Sequence, residues 1–172
     1  MNFRSKTALC LLLFALLLAA LSLPAADPDP YEPLKLYQGS WQLKKAAPES
    51  QPDLLMNHCA RTGVFFSCEQ ELNGKPAALV IFLPTGKSSS GGFAYRTLVA
   101  LPDASKPEDW GRLEIDGDTW IYSWTHRDGE KSVLMRNVNH FKDKDHIHFE
   151  LQKMVDATTW MTQMSSEEER LK

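Results

Sequence analysis

The sequence lacks the patterns of several common function classes. No nucleophile elbow of the hydrolase type is present, and Ser88 to Ser90 have no identifiable base nearby. Gly86-Lys87-Ser88 lacks the upstream glycine of a phosphate-binding loop, since Ile81 stands at that position. The chain has no basic run and a net charge of −3, which argues against a nucleic-acid partner. We therefore predict no catalytic residue and no cofactor, and we expect a binding protein rather than an enzyme.

The N-terminus has the pattern of a secretory signal. Arg4 and Lys6 precede an apolar run over residues 7–23, and the small residues Ala25 and Ala26 follow it. We predict a signal peptide over residues 1–26 and a secreted or periplasmic location. The alternative is an uncleaved membrane anchor, because the run is nearly long enough to span a bilayer. In that case the membrane would be contacted through the signal sequence alone.

Cysteine is scarce, and its placement predicts one disulfide. Cys10 lies in the apolar run and leaves with the signal, so the mature chain keeps Cys59 and Cys68. In an oxidising compartment two such cysteines pair by default. A two-residue turn at Gly63-Val64 would place them opposite each other across a β-hairpin. We predict a structural Cys59–Cys68 bridge rather than a redox-active pair.

The rest of the chain reads as short strands separated by turns, without a convincing amphipathic helix. The clearest segment is a meander in which Asp128-Gly129 joins a first strand to residues 133–141, and a turn at residues 142–145 leads to residues 147–151. Asn73-Gly74 predicts a further two-residue hairpin turn, because both residues tolerate a positive φ. We count about eight to ten short strands in all. The predicted fold is all-β, a single antiparallel up-and-down β-barrel, because closure removes the exposed edges of a meander.

Domain boundaries follow from composition. Pro28 and Pro30 predict an extended, proline-rich tether over residues 27–33. The barrel domain is expected over residues 34–164, with a final strand around residues 159–163. The highly charged residues 165–172 are predicted to form a C-terminal tail.

Gly39-Ser40-Trp41 opens the first predicted strand after a short helical turn. In an exported all-β chain of this size, this motif resembles the lipocalin and calycin barrels, and the later half resembles bacterial lipocalin-like families. The resemblance implies an up-and-down barrel with an internal ligand cavity and with Trp41 plugging the closed end. It also implies a late basic residue packed over Trp41, for which Lys153 or Arg136 is a speculative candidate.

Two polar residues of the meander are candidates for ligand binding. Pairing across Asp143-Lys144 would place Arg136 and His140 on the inward face of their strand. A buried arginine is costly unless it is paired, so an inward Arg136 indicates an anionic ligand or a structural acid. The alternative is an arginine that reaches the barrel mouth.

Trp120, Tyr122 and Trp124 share one face of their strand and suit the wall of a small-molecule pocket, or simply the core. A strict two-residue loop at Asp128-Gly129 would place this aromatic face opposite to that of Arg136. A one-residue bulge would place both on the inside. The sequence leaves the two registers open.

His146, His148 and Glu150 alternate along one strand, a spacing that can chelate zinc. The same alternation turns them toward solvent once Ile147 and Phe149 are buried. We therefore predict a solvated polar face and no metal site.

Three hypotheses follow for function. The first is an exported lipocalin-like domain that binds a small, partly apolar ligand with an anionic group, through the aromatic wall and Arg136. The second is an enzyme that uses His140 as an acid or base and Arg136 to hold substrate in the same cavity. The third is an envelope interaction module without a cavity.

Overall fold

The structure, a computed structural model, describes residues 28–44, 51–103, 111–128 and 131–172. The predicted signal peptide, residues 1–26, lies outside the described residues. Within the four described stretches, no helix is long and apolar enough to cross a membrane.

The described residues fold almost entirely into β-strands. A short 3₁₀ helix, Pro33–Tyr37, precedes ten strands: β1 (Gly39–Lys44), β2 (Asp53–Thr62), β3 (Phe65–Leu72), β4 (Lys75–Lys87), β5 (Phe93–Ala100), β6 (Gly111–Asp116), β7 (Thr119–Asp128), β8 (Lys131–Phe141), β9 (His146–Met154) and β10 (Trp160–Arg170).

Each strand pairs antiparallel with its neighbours in sequence, and β1 also pairs with β10, so the sheet closes into a barrel. The predicted all-β, antiparallel up-and-down barrel is confirmed. Closure leaves neither the first nor the last strand as an open edge, which is the physical reason for preferring it over an open meander.

Two of the predicted turns fix the register of the second, third and fourth strands. Gly63 adopts a φ of 61° in the turn between β2 and β3, and Thr62 pairs with Phe65. This register places Cys59 opposite Cys68, and the predicted disulfide is confirmed, with an S–S distance of 2.06 Å. At the next turn Asn73 and Gly74 both have positive φ, as a primed hairpin turn requires.

Both ends of the described chain are part of the barrel structure. Where the sequence suggests an extended tether, Asp29 forms an ion pair with Arg61, and Tyr31 is buried and stacks on Phe66 at 5.6 Å. Where it suggests a charged tail, β10 continues to Arg170. Side chains of this strand alternate between solvent and the barrel interior, so that Glu167 faces solvent and Glu168 is buried, although both are charged residues in the sequence.

The barrel is closed at the end where the chain enters it. Leu34 of the 3₁₀ helix and Trp41 of β1 are almost fully buried there. The Arg170 guanidinium lies 4.2 Å from the centre of the Trp41 ring and donates hydrogen bonds to the carbonyl oxygens of Leu36 and Gln38. The late basic residue over the tryptophan is therefore Arg170.

The candidates named for that position lie elsewhere. Arg136 stacks on Trp160, and Lys153 of β9 pairs with Met135 of β8 and Met161 of β10. Arg170 was missed because the sequence analysis assigns its segment to a tail.

The register of the meander differs by one residue from the predicted pairing across Asp143-Lys144. Arg136 pairs with Gln152 rather than Leu151, and His140 pairs with His148 rather than Ile147. Because side chains alternate between the two faces of a strand, this shift turns Arg136 and His140 outward. At the preceding hairpin Asp128 pairs with Lys131, which places Arg136 opposite Ser123 and leaves the aromatic stripe on the other face.

Candidate functional site

A cavity of about 470 Å³ lies inside the barrel. Its walls come from strands β3, β4 and β5 on one side and β7 and β8 on the other, with Tyr37 of the 3₁₀ helix contributing as well. Fourteen of the described residues line it: Tyr37, Cys68, Gln70, Val80, Phe82, Val99, Leu101, Trp120, Tyr122, Trp124, Thr125, His126, Asn137 and Asn139.

The aromatic stripe of β7 faces this cavity, and its members have different surroundings. Trp120 is 4 % exposed and packs against Phe141 and Tyr37, with ring centres 4.8 and 6.2 Å away. Trp120 therefore belongs to the packed core as well as to the lining. Tyr122 and Trp124 are only partly buried and stack on each other at 5.2 Å. They form a flat aromatic wall beyond the packed core.

The position of Tyr122 depends on a glycine in the neighbouring strand. A Cβ atom at Gly111 would lie 2.5 Å from the Tyr122 hydroxyl oxygen and from Thr97 Oγ1. The missing side chain lets the phenol ring lie close against β6. Burial raises the pKa of Tyr122, so its hydroxyl stays protonated at neutral pH.

Amide side chains line the cavity next to the aromatic stripe. Asn137 pairs with Tyr122 across strands β7 and β8, and Asn139 pairs with Trp120. The Oδ1 atom of Asn139 is buried and has no hydrogen-bond partner in the described part of the chain. Strand β8 thus presents two amides beside two aromatic rings.

A polar network extends from the cavity toward the closed end. The Gln70 Nε2 atom donates to Asn57 Oδ1 at 2.8 Å, and Asn57 Nδ2 donates to the Tyr37 carbonyl oxygen at 3.3 Å. Asn57 is only 1 % exposed, so its side-chain amide is satisfied inside the barrel. The network supports the cavity floor with hydrogen bonds rather than with apolar packing alone.

A buried carboxylate belongs to the same region. Glu168 is 3 % exposed, and burial raises its pKa to about 7. Burial, and secondly the negative charge of Glu168, raise the pKa of Tyr37 well above its usual value. Sequence reasoning missed Glu168 because residues 165–170 are all polar, so the sequence does not show which side chains of this strand point inward.

Arg136 and His140 do not line the cavity, and their predicted inward orientation is wrong. Arg136 Nε donates to Gln152 Oε1 at 2.7 Å, and its guanidinium lies 4.0 Å from the centre of the Trp160 ring. His140 is exposed and lies 3.2 Å from Thr119 Oγ1. Burial lowers the pKa of Arg136, which its contacts on the outer face explain.

The histidine-rich face of β9 points outward, as the alternation indicates. His146 contacts Asp143 at 2.9 Å, and His148 contacts Glu167 at 3.0 Å and Glu150 at 3.6 Å. Among the described residues, no three His, Cys, Asp or Glu side chains are grouped so that they could hold a metal ion. These histidines contact carboxylate groups on the protein surface.

Comparisons with known proteins assign no family to the chain. No protein-family model and no curated protein matches the chain. Among solved structures, the chain is similar to Rv2717c from M. tuberculosis, with a TM-score of 0.47 and 16 % sequence identity. The match covers 84 % of this chain and 99 % of that one. At this score the similarity carries no argument about ligand or activity.

Proposed function

We propose that this protein is an exported, lipocalin-like barrel that holds a small, partly apolar molecule in its internal cavity. The observation that carries this proposal is the cavity of about 470 Å³ with the aromatic wall of Tyr122 and Trp124. Pockets for small molecules commonly enclose about 300 to 1,000 Å³ and combine apolar walls with a few polar groups. The lining described above has this composition.

The geometry favours binding over the two other hypotheses. An interaction module would be expected to have a solid core, whereas this barrel contains a cavity of about 470 Å³ between its strands. An enzyme that uses His140 would need this side chain in the cavity, and it lies on the outer face. The anionic part of the binding hypothesis loses its support as well, because Arg136 is directed away from the cavity.

Two features support export. The first 26 residues have the composition of a signal peptide, and the mature chain carries a disulfide between Cys59 and Cys68. Disulfides persist in oxidising compartments and are rare in the cytosol of mesophiles. We therefore expect the functional protein to lie outside the cytoplasm.

Binding can be tested with a neutral fluorescent dye, N-phenyl-1-naphthylamine, on protein prepared by export to a bacterial periplasm. Trp124→Ala removes one side of the aromatic wall, and Trp160→Ala is the matched control because Trp160 stacks on Arg136 outside the cavity. We expect the parent and Trp160→Ala to bind alike. Trp124→Ala should bind about tenfold more weakly, since it loses a stacking contact and apolar area.

Native mass spectrometry of the same preparations gives an independent readout. A small molecule that travels with the parent and with Trp160→Ala, but not with Trp124→Ala, would identify the natural cargo. The proposal is abandoned if the disulfide-intact parent binds no dye, or if both variants lose the same affinity.

A further inference from the structure

The charge of the cavity lining restricts what can bind there. None of the fourteen described lining residues is Asp, Glu, Lys or Arg, and the one histidine among them, His126, is an exposed residue. A charged ligand group that leaves water needs an opposite charge or a full set of hydrogen bonds to offset its desolvation.

The polar groups that do line the cavity include two amides on one strand. Asn137 and Asn139 are two residues apart on β8, so both side chains face the same way, at a spacing of about 7 Å. An amide offers an acceptor oxygen and two donor hydrogens. The pair can therefore bind a ligand edge that itself carries both a donor and an acceptor.

One of these amides is not satisfied by the protein. The buried Asn139 Oδ1 has no hydrogen-bond partner in the described structure, and an unpaired buried acceptor destabilises the protein that contains it. The terminal torsion of asparagine has a broad energy profile, so a modest rotation can present this oxygen to a ligand. A donor on the ligand would remove that cost upon binding.

The aromatic residues opposite these amides favour a flat partner. Across strands β7 and β8, Trp120 and Tyr122 are the residues directly paired with Asn139 and Asn137. Ring pairs in offset-stacked or edge-to-face arrangements are more favourable than their buried area alone accounts for. Strand β7 would thus contact the flat face of a ligand ring, and strand β8 would bind the polar edge of the same ligand.

We infer that the ligand of this cavity is an uncharged, flat ring compound with a carboxamide-type or lactam-type edge, and that Asn137 and Asn139 bind this edge. The inference rests on the proposed binding function and specifies its ligand class. An organic cation held by the aromatic rings and an anion are the competing ligand classes, and the same experiment distinguishes them.

The test compares four naphthalene derivatives of similar size as competitors of bound N-phenyl-1-naphthylamine at neutral pH. They are 2-naphthamide, which is neutral, 2-naphthoate, which is an anion, 2-naphthamidine, which is a cation, and 2-ethylnaphthalene, which has no polar edge. We expect 2-naphthamide to bind about tenfold more tightly than any of the other three.

Two variants test whether Asn139 binds the polar edge of the ligand. Asn139→Leu keeps a similar volume and removes the amide, so the preference for 2-naphthamide over 2-ethylnaphthalene should fall about tenfold while 2-ethylnaphthalene binds as before. Gln152→Leu, the control, removes an amide from the outer face, where Gln152 contacts Arg136, and should leave the preference unchanged.

The outcomes separate the two proposals. Equal or tighter binding of 2-naphthoate or 2-naphthamidine overturns the ligand class and leaves the binding function intact. A preference for 2-naphthamide that survives Asn139→Leu overturns the role of Asn139. If the parent binds no dye, the proposed function itself fails, and this inference fails with it.

Discussion

The buried carboxyl group of Glu168 should make the stability of this barrel depend on pH near neutrality. Its side chain lies on β10 between Leu43 of β1 and Ile147 of β9, and its Oε2 atom has no hydrogen-bond partner in the described residues. Burial disfavours the charged form and raises the pKa of Glu168 from its ordinary 4.5 to about 7.

Proton linkage gives the direction and the magnitude of this pH dependence. Between about pH 4.5 and pH 7 the folded protein keeps a proton at Glu168 that the unfolded chain releases, so the free energy of unfolding falls as pH rises. Below this interval both states are protonated, and above it both are ionised. The difference in pKa corresponds to a total change of about 3 kcal/mol.

The substitution Glu168→Gln removes the ionisation and keeps the shape. The difference in free energy of unfolding between the variant and the parent should be about 3 kcal/mol larger at pH 7.5 than at pH 4.5, in favour of the variant. Denaturant unfolding at a series of pH values measures this difference. In thermal unfolding the same change corresponds to roughly 6 to 12 °C.

Glu167 provides the control because its environment acts in the opposite direction. A hydrogen bond from the Lys142 ammonium, and secondly one from His148, lower the pKa of Glu167, which is about half exposed. The contribution of Glu167 to stability is present above its ordinary pKa and is lost as pH falls. The loss of stability caused by Glu167→Gln should therefore become smaller as the pH is lowered. A difference between Glu168→Gln and the parent that stays constant from pH 4.5 to 7.5 would refute the reasoning.

Two further predictions concern the closed end and the disulfide. Arg170→Ala should lower the free energy of unfolding by about 2 to 4 kcal/mol, since it removes the stack on Trp41 and charge-assisted hydrogen bonds. The exposed Arg112→Ala should cost under about 1 kcal/mol by the same denaturant assay, and equal losses would contradict the assignment. Replacing Cys59 and Cys68 together by Ala should cost about 2.7 kcal/mol in the loop-entropy model, and an unchanged midpoint of unfolding would contradict it.

The fold could be predicted because its signals are local. The Asn73-Gly74 and Gly63-Val64 turns depend on backbone conformations that few residues adopt, and each fixes a hairpin by itself. Alternation along the strands then gives one apolar face. The disulfide follows from one of these turns, because the turn residue count places Cys59 opposite Cys68.

The orientation of the site residues was harder to predict, because one residue more or less in a turn decides which face of the strand each side chain lies on. The turn after Phe141 contains four polar residues, any of which could occupy its tip. Lys142 N donates to the carbonyl oxygen of His146, so the loop is centred on Lys144 and not between Asp143 and Lys144. That shift alone exchanges inner and outer faces for Arg136 and His140.

The C-terminal strand was obscured by its charge. Glu167, Glu168, Glu169 and Arg170 read as a solvated tail when they are judged by composition. In the barrel Glu169 forms an ion pair with Lys44 outside, while Glu168 is buried and Arg170 covers Trp41. A buried carboxylate and a stacked guanidinium depend on partners far away in the sequence, which no local pattern contains.

The floor and the wall of the cavity should respond differently to ligand, because they differ in what else they do. Trp120 and Tyr37 line the cavity and also pack in the closed end of the barrel, whereas Trp124 does not belong to the buried core. A substitution at Trp120 therefore changes stability and binding together, and its effect on affinity cannot be separated from repacking. A substitution at Trp124 leaves the core cluster intact, so the ligand-induced rise in unfolding temperature, which follows the affinity directly, reports on binding alone.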